Sequence, residues 1–167
     1  MRKSLTPVSY THLHNIYQVR AICQSYDNKI WLYDEIENKL KKIDEEGKLL
    51  LETPDFRLLM DITVSPVNIF DENKYVYLYD PVYGVNVFDY YGSLKNNILI
   101  QAWQNFKVAD KYIYGSKSDT LYRYEISSFL YDEWKMPEQI AGSIKFNFTS
   151  SRLYALKNDV IRIYSIR

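Results

Sequence analysis

The chain has 167 residues, 47% of them hydrophobic, and its 21 basic and 21 acidic side chains cancel to a net charge of zero. That is material for a packed core without the basic stripe of a nucleic-acid binder, so no nucleic-acid partner is expected. No apolar run reaches the roughly 20 residues of a membrane-spanning helix, and the single cysteine, Cys23, excludes an internal disulfide framework and a multi-cysteine metal site.

The chain opens on MRKSLTPV, basic residues with no apolar stretch behind them, which is not the pattern of a secretory signal. Pro7–Leu13 (PVSYTHL) resembles a translated sequencing-adapter junction. On that reading residues 1–13 are non-native or disordered and native sequence starts near His14. The alternative is a short genuine strand, VSYTHL.

Strands are predicted where β-branched and aromatic residues run for four to eight positions between turn residues. The first group is Tyr17–Cys23, Ile30–Asp34, Lys39–Asp44 and Lys48–Glu52. The second is Val67–Phe70, Tyr75–Asp80, Val85–Asp89 and Leu94–Ile100. The third is Phe106–Ala109, Tyr112–Gly115, Thr120–Glu125 and a weak strand near Glu133–Met136. The fourth is Ile144–Phe148, Leu153–Leu156 and Val160–Ile166. No stretch carries a convincing helical period.

The groups repeat. KIWLYD (Lys29–Asp34), YVYLYD (Tyr75–Asp80), KYIYGS (Lys111–Ser116) and RLYALK (Arg152–Lys157) recur at about 40 residues, each followed by a second apolar run. A period of this length built from short strands is the mark of β-propeller blades. The fold class is therefore all-β, with about four antiparallel propeller blades, the last three-stranded, in a partial or open propeller. Its repeats fall near 17–56, 67–103, 105–139 and 144–167, in a single domain over 14–167.

Turn chemistry agrees. AspGluGluGly (Asp44–Gly47) and AspTyrTyrGly (Asp89–Gly92) stand 45 residues apart, each with a glycine for the positive φ of a tight hairpin. Pro54, Pro66, Pro81 and Pro137 sit outside the strands, where they remove no ladder hydrogen bond. In Tyr75–Tyr79 tyrosines face one side and aliphatics the other, with no charge on either, as a strand buried on both faces requires. Lys39–Asp44 reads as half-wet, with Lys39 and Lys41 outward and Leu40 and Ile43 inward.

The second group, VNIFDENKYVYLYDPVYGVNVFDYYG, resembles NHL-type and related bacterial six-bladed propeller repeats. It departs from that pattern at Tyr79, where the repeat usually has a small residue. The Tyr- and Asn-rich wording is similar to exported, uncharacterised propellers of Bacteroidetes-type bacteria. The resemblance spans about residues 17–167, fades toward the last group, and implies an envelope or periplasmic home with no catalytic residues to carry over. It also implies a parent of about six blades of which this chain is an N-terminally truncated part; a closed four-bladed ring is the alternative. An open blade edge offers a route to self-association.

Candidate chemistry is sparse. His12 and His14 form an H-x-H pair, but no third ligand accompanies them, so no metal is expected, nor any cofactor. A Ser–His–Asp or Cys–His centre needs a histidine, and these two are the only ones in the chain. Asp34, Asp80 and Asp89 recur at strand ends, where capping the following turn accounts for them. Asn147–Thr149 is a formal glycosylation sequon inside a predicted strand and reads as coincidence.

Tyrosine is the one compositional excess, at 17 residues. Strand tyrosines suit blade-to-blade packing, whereas loop aromatics suit recognition. Tyr83, Trp103 and Phe56 are placed on one rim as binding residues, and Tyr90 and Tyr91 on the opposite rim. The expected function is a non-catalytic binding or scaffolding propeller that presents rim aromatics to a protein or glycan partner. The alternative is a carbohydrate-active lyase or hydrolase with acids in the axial channel.

Overall fold

The computed structural model describes residues 15–72 and 74–166; the predicted non-native segment 1–13 and both histidines lie outside them. The first sheet is β1 (Val19–Gln24), β2 (Ile30–Asp34), β3 (Lys39–Ile43) and β4 (Leu49–Glu52), followed by a short helix, α1 (Phe56–Met60). The second is β5 (Asn68–Glu72), β6 (Tyr75–Asp80), β7 (Gly84–Asp89) and β8 (Leu94–Ile98). The third is β9 (Gln104–Ala109), β10 (Tyr112–Lys117), β11 (Thr120–Glu125) and β12 (Tyr131–Lys135). The fourth is β13 (Lys145–Phe148), β14 (Arg152–Lys157) and β15 (Val160–Ser165).

Every sheet is an antiparallel meander in sequence order. The first strands of consecutive sheets touch, β1 on β5, β5 on β9 and β9 on β13, so these strands lie innermost. The sheets are the four blades read from the sequence, set side by side in an arc. α1 is the element the sequence missed. Five residues are too few to show a helical period, and the helix rests on the Asp55 carboxylate, which accepts from Arg57 N–H at 2.9 Å.

Three apolar cores fill the spaces between neighbouring blades. Trp31, Tyr33, Phe56, Val76 and Phe88 join the first to the second. Tyr79, Val85, Phe106 and Ile113 join the second to the third. Tyr114, Leu121, Phe148 and Leu153 join the third to the fourth. The second strands are sandwiched as their patterns required: Val76, Tyr77, Leu78 and Tyr79 are all buried. The end faces are different, with Ile22 exposed on β1 and Ile161 and Ile163 exposed on β15.

The turns behave as read. Gly47 and Gly92 sit at φ 83° and 81°. Asp34 accepts from Ile36 N–H, and Asp80 from Val82 N–H at 2.7 Å and Tyr83 N–H at 3.1 Å. These carboxylates also hold the chain entering their own blade. Asp34 accepts from Tyr17 N–H at 2.9 Å, and Asp80 from Ser65 N–H at 2.6 Å. The preceding tyrosines reach the next blade's entry: Tyr33 OH, which also bonds the Asn38 side-chain carbonyl, meets the Val64 carbonyl at 3.2 Å, and Tyr79 OH donates to that of Trp103 at 2.9 Å.

The half-wet reading of β3 is corrected. Lys41 is wholly buried and Lys42 nearly so. Lys41 Nζ pairs with Asp34 at 2.9 Å and also bonds Glu37 and the Asn15 carbonyl. Burial opposes both charges of the Lys41–Asp34 pair, and the hydrogen bonds overcome it. Those that Lys41 donates to Glu37 and Asp34 hold it above the usual lysine range, and those from Tyr17 N–H and Lys41 hold Asp34 below the usual carboxylate range.

Lys41→Met is expected to lower unfolding free energy in urea by about 3 kcal/mol, because it strands the Asp34 carboxylate in a buried setting. Asp34's contribution is fully present above its unfolded pKa of about 3.9 and is lost as pH falls through the lower folded value. Lys41's is present below about pH 10.4 and lost as pH rises through the higher folded value. Urea midpoints taken across pH should show both flanks in the wild type, with the high-pH flank reduced in Lys41→Met.

Candidate functional site

The first hairpin turn of a blade and its β3–β4 type turn open on the same rim. Between the first and second blades that rim gathers Ser25, Tyr26 and Asp27 from the β1–β2 turn, Lys42 from β3, Asp71 from the end of β5, and Tyr90 and Tyr91 from the β7–β8 turn. Asp71 organises them. Its carboxylate accepts from Ser25 Oγ at 2.6 Å, Trp31 Nε1 at 3.1 Å, Tyr90 OH at 2.5 Å and Tyr26 N–H at 3.4 Å. One acid of the second blade thus grips two elements of the first and a turn of its own.

With both turns held, the Tyr26 and Tyr90 rings stack, their centroids 4.9 Å apart. Lys42 lies behind them. Its Nζ stands 5.1 Å from the Trp31 ring and 5.7 Å from those of Tyr26 and Tyr90, within cation–π range. Its charge is matched by Asp27 at 2.8 Å. Tyr91 is 86% exposed beside them, on a turn fixed by Asp89, which accepts from Tyr91 and Ser93 N–H at 2.9 Å each and pairs with Lys95 at 2.8 Å. Tyr26, Lys42, Lys74, Asp89, Tyr90 and Tyr91 line a recess of about 780 Å³ that is open to solvent.

The titrating groups here are held in fixed forms. Lys95 keeps Asp89 below the usual carboxylate range. Burial works against the Asp27 charge, but the hydrogen bonds from Lys42, Ser25 and Lys29 prevail and lower its pKa. Burial, then the hydrogen bond to Asp71, raises Tyr90 well above a normal phenol. Nearby Cys23 is pushed up to about 12 by burial and then by the Asp71 charge, so its thiol is protonated at neutral pH and is no nucleophile. The arrangement offers flat rings, paired ammonium and carboxylate groups and hydrogen-bonding edges. Among the described residues no cluster of His, Cys, Asp and Glu is placed to hold a metal ion.

The three residues singled out in the sequence fall in three different environments. Tyr83 has an exposed ring on the opposite rim, beside a recess of about 380 Å³ shared with Met60, Val82, Leu99 and Gln101. Trp103 is a core residue instead of an open loop aromatic. It stacks on Tyr122 at 5.0 Å and covers Gly115, where an added Cβ would come within 2.7 Å of its ring. Phe56 is fully buried between Tyr33 and Phe88, because its N–H bonds the Asn38 carbonyl at 2.9 Å and draws the start of α1 into the first sheet. Neither buried ring faces solvent, so neither fits the exposed rim role expected of it. Sequence reasoning missed Tyr26, Lys42 and Asp71. The available signal was Asp71 itself, an acid directly after the apolar pair Ile69–Phe70 of an inner strand.

The sequence matches no protein-family pattern, and no curated protein matches it significantly. Similarity is structural. The computationally designed Ika4 protein superposes with a TM-score of 0.63 at 12% identity, covering 95% of this chain and all of Ika4. Virginiamycin B lyase from Staphylococcus aureus gives 0.58 at 13% identity, over 89% of this chain and 55% of the lyase. U3-55K gives 0.63 at 11% identity, over 92% of this chain and 50% of that protein. The chain thus spans about half the length of the last two. Such neighbours are β-propeller-like, which establishes the fold at this level of identity.

Asp71→Ala leaves the Ser25, Trp31 and Tyr90 donors without their acceptor and is expected to cost about 2–3 kcal/mol. Asp71→Asn, which keeps an acceptor, should recover part of that. Urea unfolding followed by tryptophan fluorescence reads both; a loss under ~0.5 kcal/mol would mean that the ring stack stands without the carboxylate.

Proposed function

We propose that this chain is a non-catalytic binding module and that the rim between its first and second blades holds a carbohydrate chain. The observation that carries the reading is the Tyr26–Tyr90 stack, fixed from below by Asp71 and extended by the exposed Tyr91. Flat aromatic faces bury the apolar C–H face of a sugar ring while their polar edges serve its hydroxyls. The recess of about 780 Å³ has the size of a ligand pocket, which a flat protein interface does not need. Lys42 with Asp27 and Asp89 with Lys95 are already paired, which favours a neutral glycan over a charged one.

Electrostatics supports binding over hydrolysis. A glycosidase needs one carboxylic acid with a raised pKa. Among the described residues the displaced carboxyls, Asp27, Asp34, Asp55, Asp89 and Glu125, are all displaced downward by N–H, hydroxyl or cationic partners.

The test is binding to a panel of neutral and acidic oligosaccharides, with Tyr91→Ala and Tyr83→Ala as paired variants. Tyr91→Ala should weaken the best neutral ligand about fivefold or more with no loss of fold, since loss of an anchoring aromatic typically costs above ~1 kcal/mol. Tyr83→Ala should bind as wild type. The reverse result would move recognition to the Tyr83 rim, and binding of a protein partner but of no glycan would overturn the ligand class.

A further inference from the structure

In each four-stranded blade an ion pair ties the third strand to the outer one. Lys39 of β3 meets Glu52 of β4 at 2.8 Å, Asp89 of β7 meets Lys95 of β8 at 2.8 Å, and Arg123 of β11 meets Asp132 of β12 at 2.6 Å. The fourth sheet has three strands, and β15 is its free edge among the described residues. Ile166 N–H bonds inward to the Ser151 carbonyl at 2.8 Å. By the alternation of an antiparallel ladder, the N–H and C=O groups of Ile161, Ile163 and Ser165 then point outward. The side of this sheet turned away from the third blade is apolar: Ile161 and Ile163 are exposed there, beside the half-buried Tyr154 and Leu156. The strands of the sheet carry four cations, Lys145, Arg152, Lys157 and Arg162, and no carboxylate. Arg152 and Arg162 form no ion pair among the described residues.

The third and fourth blades align on their β-hairpin turns, the pair Lys117 and Thr120 matching Lys157 and Val160, so Ile161, Arg162 and Ile163 stand where Leu121, Tyr122 and Arg123 stand. In the third blade β12 sets Trp134, Glu133 and Asp132 opposite those three. A strand added to β15 therefore meets an isoleucine, an arginine and an isoleucine in turn. Its own alternation puts apolar side chains beside Ile161 and Ile163 and the side chain between them against Arg162. A second copy paired edge to edge through β15 would bring Arg162 against the same cationic sheet, and like charges facing each other are destabilising. We propose that β15 takes up an extended segment of a partner protein in which acidic and apolar residues alternate, and that this segment completes the blade as its fourth strand. Backbone hydrogen bonds supply the affinity of such strand addition, and the alternating side chains its specificity.

Two peptides are the probes, one alternating valine with glutamate and the other valine with lysine, each titrated against the full chain by fluorescence anisotropy. The glutamate peptide should bind at least about fivefold more tightly, with the preference shrinking as salt rises, because the charges are exposed. Its binding should shift the NMR amide signals of Ile161 and Ile163 and slow their exchange with solvent. Ile163→Pro removes an outward N–H that the sheet does not use and should abolish binding. Arg162→Glu should turn the preference toward the lysine peptide. Tyr91→Ala should change neither affinity, which separates this edge from the rim. Failure of the glutamate peptide to bind, equal binding of the two peptides, or glutamate-peptide binding that survives Ile163→Pro overturns the proposal. So does a dimer in sedimentation that Ile163→Pro dissociates, which would assign the edge to a second copy. Should Ile163→Pro fail to fold, the Arg162→Glu reversal decides alone.

Discussion

A single peptide unit, Val64–Ser65, is held from both ends, and the placement of the first two blades rests on it. The Tyr33 hydroxyl of the first blade binds its carbonyl, and the Asp80 carboxylate of the second binds its N–H. A buried peptide group must find partners for both dipoles, and here one partner comes from each neighbouring blade. That fixes where β5 begins relative to β2. Asp71 lies six residues further along the same chain, so its reach to Ser25 and Trp31 across the blade boundary follows from the clamp. The ring stack on the rim then follows from Asp71.

The clamp weakens along the chain. The Tyr–Asp pair at the end of the second strand, Tyr33–Asp34 and Tyr79–Asp80, becomes Gly115–Ser116 in the third blade and Leu156–Lys157 in the fourth. Packing takes over there. With no side chain at position 115, Trp103 settles onto the backbone and stacks on Tyr122. Tyr114 turns to Phe148 and not to a carbonyl of the next blade. Aromatic stacking is tolerant of small offsets, whereas a hydrogen-bonded clamp is not. The junction without the clamp is also the one that retains a cavity of about 190 Å³ between its blades.

Charge follows the same logic. The chain is neutral overall, yet two adjacent lysines of one strand are buried for opposite reasons of geometry. Lys41 enters a carboxylate and carbonyl cage that ties residues 15–18 to the first blade. Lys42, pointing the other way, enters an aromatic box with one acid at its mouth. Each ammonium meets a partner that lowers the cost of leaving water. The polar side of the candidate glycan site is thereby composed of groups that are already matched.

The sequence by itself determined the strands, their grouping into four blades and the chemistry of their turns. These features depend on nearest neighbours: alternation along Tyr75–Tyr79, glycine at 47 and 92, and aspartate where a second strand ends. Exposure of the loop aromatics and burial of the lysines were decided only in three dimensions. Phe56, Trp103 and Lys41 each read in the wrong environment, because their surroundings come from residues distant in the chain or from the other face of a strand. Asp71 is the extreme case, since three of its four contacts lie 40 to 46 residues away. A local pattern records what a residue prefers; which partner satisfies a buried charge or ring is settled by how the blades pack.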